Sequence, residues 1–172
     1  MMEGSRPKLH AAKAAFREVF DDIGKSVSAV GTKIGGKVDY NINEVPVGQG
    51  RFENACAIRM SYVLNKTGHK VPHISGKTVS GKEGNWYIFR VRDLLLYLKN
   101  VFGDPDHTLN KPTALDFSKH KGILVFEVDA WADATGHATI WDGTNCSDKC
   151  YFPLSKKAYI WTRSEERRVG KE

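Results

Sequence analysis

Residues 52–68, FENACAIRMSYVLNKTG, constrain this chain more than any other stretch. Ala55, Cys56, Ala57, Ile58, Met60, Tyr62, Val63 and Leu64 leave almost no polar face. A helix that is apolar nearly all round is usually buried at the centre of a domain. Asn54 is the expected N-cap, because its side chain accepts from free backbone N–H groups. Gly68 is the expected stop, because glycine takes the left-handed C-terminal conformation without steric cost. Between the cap and Lys66, Arg59 is the only charge. The helix carries Cys56 in its first turn, where unpaired N–H groups and the positive end of the dipole favour thiolate over thiol. The plainer alternative is that Cys56 is core, since free cysteine commonly behaves as a small buried hydrophobe.

A chain of 172 residues fits one domain with a substantial core. No run of 18 or more apolar residues marks a transmembrane helix, so no membrane insertion is expected. The first twenty residues contain no continuous apolar core of a Sec signal. A net charge of +6 suits an anionic partner: nucleic acid, anionic lipid or an acidic cell-wall polymer. No RNP, zinc-finger or basic-zipper pattern supports nucleic acid among these. The last ten residues, RSEERRVGKE, match the translation of a common sequencing-adapter oligonucleotide. A single domain is therefore expected over residues 1–162, with 163–172 a non-native tail.

Residues 7–22 read as an amphipathic helix, with Leu9, Ala12, Phe16, Val19 and Phe20 on one stripe. Residues 24–50 are rich in glycine and read as a long loop. Gly35-Gly36 lacks the Lys-Ser/Thr ending of a phosphate loop. Residues 70–85 read as another loop, with Ser75-Gly76 and Ser80-Gly81 as turn signals. Residues 90–102 form the clearest helix, with Val91, Leu94, Leu95, Leu98, Val101 and Phe102 on one face and Gly103 as its stop. A polar connection runs on to about Lys121. Residues 122–128, GILVFEV, read as a strand buried on both faces. Residues 136–141 alternate, placing His137, Thr139 and Trp141 opposite Ala138 and Ile140, with Asp142-Gly143 as the following turn. Residues 158–162 are a third strand. Helices first and strands last suggest an α+β fold with an antiparallel sheet packed on the helices.

His137, on a short strand after a glycine, is the natural partner for Cys56. Cysteine catalysis needs an imidazole to protonate the leaving group and a third polar group to hold that imidazole. Asp129, Asp133, Asp142 and Asp148 are candidates for the third role, and spacing does not choose among them. His10, His69, His73, His107 and His120 are expected in loops or on polar faces. Cys146 and Cys150 could hold zinc, but no two further ligands stand at suitable spacing. A short-loop disulfide suits a protein that works outside a reducing cytosol, and leaves Cys56 as the odd thiol.

The blocks NACAIRMSYVLN, ISGKTVSG, WYIFRVRDLLLYLK and GILVFEVDAWADATGHATIWDGTNCSDKCYF resemble, in that order, those of the type VI secretion amidase effectors of family 4. The resemblance runs from about residue 35 to residue 161. It implies an NlpC-type papain-like fold, with the nucleophile helix packed against a mostly antiparallel β-sheet. It also implies a cysteine amidase that cuts the bond between D-glutamate and meso-diaminopimelate in peptidoglycan stem peptides. Cys56 matches the nucleophile, His137 the general base and Asp148 the orienting acid. Cys146 and Cys150 match a disulfide, whose closure would firm the turn that presents Asp148. The implied partners are stem peptides, a cognate immunity protein, and tube or spike components of the secretion apparatus. Such an enzyme is made in the cytoplasm without a signal peptide and acts in the periplasm of a rival Gram-negative cell. No metal or organic cofactor is implied.

The backbone N–H of Cys56 is a candidate oxyanion donor. Ser75, Gly76, Trp86 and Trp131 are candidate walls of the substrate groove, although either tryptophan could equally be core. Two further readings stand beside the amidase: a papain-like acyltransferase or endopeptidase acting on another wall bond, and a non-catalytic wall-binding domain.

Overall fold

The computed structural model describes residues 6–128 and 136–163. Asp129, Asp133 and Trp131, named above as site candidates, lie outside the described residues. The chain opens with α1 (Leu9–Glu18), α2 (Val27–Ile34), the short α3 (Gly36–Asp39) and a π-helical turn over Tyr40–Glu44. The helix α4 (Cys56–Lys66) follows. Then come a hairpin of β1 (Thr78–Ser80) and β2 (Trp86–Ile88), and α5 (Val91–Phe102). The remaining strands are β3 (His107–Asn110), β4 (Gly122–Glu127), β5 (Gly136–Trp141) and β6 (Lys157–Thr162). They form one antiparallel sheet in the order β3-β6-β4-β5. This is the α+β arrangement expected, with β5 at an edge.

The sheet is covered on both faces. Ile123, Val125, Ala138, Ile140, Tyr159 and Trp161 pack with Phe16 of α1, Met60 and Leu64 of α4, and Leu94 and Leu98 of α5. Leu124, Phe126, Trp141 and Ile160 turn the other way, onto Phe117 and Phe152 in short 3-10 turns. The alternation within β4 explains its unbroken apolar run: each face meets a separate core. Trp141 Nε1 donates to the carbonyl of Phe117 at 2.9 Å, which satisfies the polar atom of that fully buried indole.

α4 is the central helix. Ile58, Met60, Val63 and Leu64 are all fully buried. The helix stops where glycine directs it: Gly68 has φ of +88°, and the N–H of His69 donates to the carbonyl of Leu64 at 2.8 Å. That bond closes a Schellman-type turn. At the other end the cap residue is Ala55 rather than Asn54. Asn54 still supplies the expected acceptor, since its Oδ1 takes the N–H of Cys56 at 2.9 Å.

Three connecting segments differ from the sequence reading. Residues 24–50 are helical for much of their length, not a long loop. Val30, Ile34, Val38 and Ile42 recur at four-residue steps and pack on Ala55, Ile58 and Tyr87. The glycines between them obscured this period. Residues 70–85 contain β1, which pairs with β2 in a hairpin. The polar connection after α5 contains β3, whose residues are mostly exposed and lack an apolar alternation. Pairing with β6 makes it a strand, a tertiary cause that local pattern does not carry.

Candidate active site

Cys56 begins α4, and His137 is the second residue of β5. The edge position of β5 lets the helix start reach the imidazole directly. Cys56 Sγ stands 2.7 Å from His137 Nδ1. On the far side of the ring, Nε2 stands 3.0 Å from Asp148 Oδ1 and 2.9 Å from Oδ2. The side chains of His137 and Asp148 keep only 5% and 4% of their exposure, and Cys56 is buried.

Each position has a local cause. Gly136 precedes the histidine because the β4–β5 ladder is tight there: a Cβ at Gly136 would lie 2.2 Å from the carbonyl oxygen of Phe126. That approach fixes the register in which Phe126 faces His137. Asp148 arrives by a reversal. Asp142 Oδ1 accepts the N–H groups of Thr144 and Asn145, which folds the chain back on itself. The returning segment then runs along β5. Cys146 bridges Trp141, and the N–H of Ser147 donates to Ile140 at 2.9 Å. One residue further on, Asp148 is level with the imidazole. The disulfide Cys146–Cys150, with Cα atoms 5.5 Å apart, closes the five residues that carry it. Asp142, another candidate for the third role, is paired with Lys13 Nζ at 3.0 Å instead.

The electrostatics favour a charged imidazole. Burial alone would depress the His137 pKa. Hydrogen bonds to Asp148 and Cys56, with their negative charge, more than offset this and raise it to about 9. Tyr151 closes the site, with its ring edge-on to His137 at a centroid separation of 4.6 Å. No periodicity or motif signals Tyr151 in the sequence. The N–H of Cys56, named above as an oxyanion donor, is already given to Asn54 Oδ1.

Of the expected groove residues, Ser75, Gly76 and Trp86 lie in and just before the β1–β2 hairpin. Gly76 accepts from Arg90 in the loop before β1, and Trp86 packs against His73 with ring centroids 4.4 Å apart. The carbonyl of Trp86 takes the amide of Asn65, nine residues along α4 from Cys56 and so about 13 Å away along the helix axis. Among the described residues, no hydrogen bond or ring contact joins Ser75, Gly76 or Trp86 to Cys56, His137 or Asp148. The described residues contain no group of three or more His, Cys, Asp or Glu side chains arranged to hold a metal ion.

A thiol on the first turn of a central helix, set against an imidazole on the edge strand of an antiparallel sheet, is consistent with the NlpC-type papain-like hydrolases. The chain belongs to a particular family of such enzymes, the type VI secretion system amidase effector protein 4 family (Tae4), whose model matches residues 52–161. Solved structures agree. The effector–immunity complex Tae4–Tai4 from Salmonella Typhimurium is matched at 40% identity and a TM-score of 0.80, over 92% of this chain and 99% of that one. The Tae4–Tai4 complex from Enterobacter cloacae is matched at 40% identity and a TM-score of 0.81, over the same shares. The effector Tae4 from Enterobacter cloacae is matched at 40% identity and 0.80, over 92% and 97%. No curated protein matches the chain. Membership makes it a type VI secretion amidase effector, a hydrolase acting on peptidoglycan of the target cell wall. No helix among the described residues is long and apolar enough to cross a membrane.

Proposed function

We propose that this chain cleaves the amide between D-glutamate and meso-diaminopimelate in peptidoglycan stem peptides, with Cys56 as nucleophile, His137 as acid and base, and Asp148 as its orienting group. The observation that carries this reading is the continuous line from Cys56 Sγ through the imidazole to Asp148, at 2.7 Å and then 2.9–3.0 Å. Family membership supports the substrate class.

The chemistry follows from the geometry. Transfer of the thiol proton to His137 Nδ1 leaves a thiolate beside an imidazolium. The sulfur attacks the side-chain carbonyl carbon of D-glutamate, forming a C–S bond and an oxyanion. The C–N bond breaks as Nδ1 gives its proton to the departing diaminopimelate amine. Water then attacks the thioester while Nδ1 takes one of its protons. Collapse of the tetrahedral intermediate breaks the C–S bond and releases the D-glutamyl carboxylic acid, which gives its proton to solvent, and the thiolate–imidazolium pair is restored. Throughout, Asp148 holds the ring so that Nδ1 faces the sulfur.

Two of the similar structures are effector–immunity complexes, which supports a cognate immunity protein as a partner of this chain as well. Ser75, Gly76, Trp86 and Trp131 remain proposals for substrate contact, and delivery through tube or spike components remains a proposal from the family. The direct test uses a defined stem tetrapeptide as substrate. The wild-type enzyme releases one new amine per bond cut, and Cys56→Ala and His137→Ala release none above background. Turnover by folded Cys56→Ala would overturn the assignment.

A further inference from the structure

Arg59 is the one charged residue of α4 before Lys66 at its end, and it lies in the buried part of the helix. It is 6% exposed, yet it is permanently charged. Its Nε donates to the carbonyl of Val19 at 3.2 Å, and its guanidinium lies over the ring of Phe20 at 5.0 Å. Among the described residues it has no carboxylate within ion-pair distance. The other buried charges do: Arg6 pairs with Asp106, and Asp93 pairs with Arg90. A buried cation without an opposite charge is strongly destabilising. Arg59 must therefore answer a charge that is not a conventional partner.

That charge is close by. Arg59 follows Cys56 by three residues, so the two share one side of α4 with Cβ atoms about 5–6 Å apart. A thiolate, an imidazolium and a carboxylate together carry one net negative charge, in a site from which water is nearly excluded. The tetrahedral oxyanion carries the same net charge. His137 from β5 faces Cys56 directly, Asp148 and Tyr151 from the returning loop face that imidazole, and Arg59 comes from the helix of Cys56 itself. Of these only Arg59 is a fixed cation. Burial pulls its guanidinium below the ordinary range, and the charges of Cys56 and Asp148 pull it back up.

We propose that Arg59 is the buried counter-charge of the Cys56–His137–Asp148 cluster, a positioning residue that neutralises the site whenever the sulfur or the oxyanion carries the negative charge. This rests on the catalytic reading given above, and the test separates the two. Iodoacetamide reads Cys56 alone, because Cys146 and Cys150 are joined. The sulfur forms a C–S bond and iodide leaves, so the rate follows the thiolate. Arg59→Met and Arg59→Gln are expected to react about tenfold or more slowly than wild type near pH 6.5, and at the wild-type rate near pH 10, where an ordinary thiol is also ionised. Arg59→Lys is expected to recover most of the rate. In the neutral variants kcat falls with KM little changed. A residue that only filled space would alter thermal stability without this dependence on pH.

A folded Arg59→Met or Arg59→Gln with wild-type reactivity near pH 6.5 overturns the inference and leaves the catalytic reading intact. Should neither neutral variant fold, Arg59→Lys decides: retained reactivity supports the role of charge, and lost reactivity overturns it. If wild-type Cys56 itself reacts near pH 6.5 only as slowly as an unactivated thiol, the catalytic reading falls, and the role of Arg59 with it.

Discussion

At the scale of single residues, His137 carries the most testable chemistry. Its pKa, raised to about 9, means that the folded protein holds the proton more tightly than the unfolded chain, whose histidines titrate near 6.5. The resulting stabilisation is fully present below about pH 6.5 and is lost as pH rises through about 9. Urea denaturation between those two limits is expected to show the loss, and Asp148→Asn is expected to shrink it. Activity should fall over the same alkaline range, because the leaving amine needs the imidazolium proton. In Asp148→Asn this alkaline limb moves to lower pH and kcat drops about 100-fold or more, since the imidazole loses its orienting partner. A pH–rate profile reads both. Cys56 and His137 were legible as a pair from residue type and placement: one thiol at a helix start, one histidine after a glycine on a short strand. Asp148 was not. Its position depends on the Asp142 turn and on the return along β5, and spacing did not choose among four aspartates; the family resemblance did.

At the scale of elements, the site depends on how β5 and the turn after it are held. Gly136→Ala would drive a methyl group into the carbonyl of Phe126, which stands 2.2 Å from the required Cβ. The expected result is a loss of about 1–3 kcal/mol, read by denaturation, with activity falling as His137 shifts away from Cys56. Serine at both Cys146 and Cys150 opens the loop around Asp148. This double variant is expected to have lower activity than wild type under oxidising conditions, and reduced wild type to approach it. Equal activity of the two oxidised proteins would remove the disulfide from the account. The elements legible in the sequence were those whose own pattern is strong. α4 is apolar nearly all round, α5 has one clean face, and β4 is buried on both sides. The segment holding α2, α3 and the π-helical turn was misread because glycines interrupt an apolar period that only its packing on Ile58 makes plain. β3 carried no pattern at all and exists because β6 pairs with it.

At the scale of the whole molecule, the two cores on either side of the sheet hold α4 and β5 in one fixed relation. The net charge of +6 belongs to this scale as well, because it concerns encounter with an anionic polymer rather than fold. Raising the salt concentration is expected to slow digestion of intact sacculi while leaving turnover of a small stem peptide nearly unchanged. We also propose that residues 163–172 are not native to the enzyme. A chain ending at Thr162 gives up the bonds from the N–H of Arg163 to the carbonyl of Lys121 and from its guanidinium to the carbonyl of Arg6, and denaturation is expected to show a loss of about 1–3 kcal/mol.

The most direct test of the central claim is the bond that is cut. Purified Gram-negative sacculi would be incubated with wild type, Cys56→Ala and Asp148→Ala, and the soluble products read by mass spectrometry. The account predicts fragments ending at D-glutamate and fragments beginning at diaminopimelate, absent with Cys56→Ala and greatly reduced with Asp148→Ala. Fragments cut at another bond would keep the thiol mechanism and contradict the proposed substrate linkage. The same fragments from folded Cys56→Ala would contradict the mechanism itself.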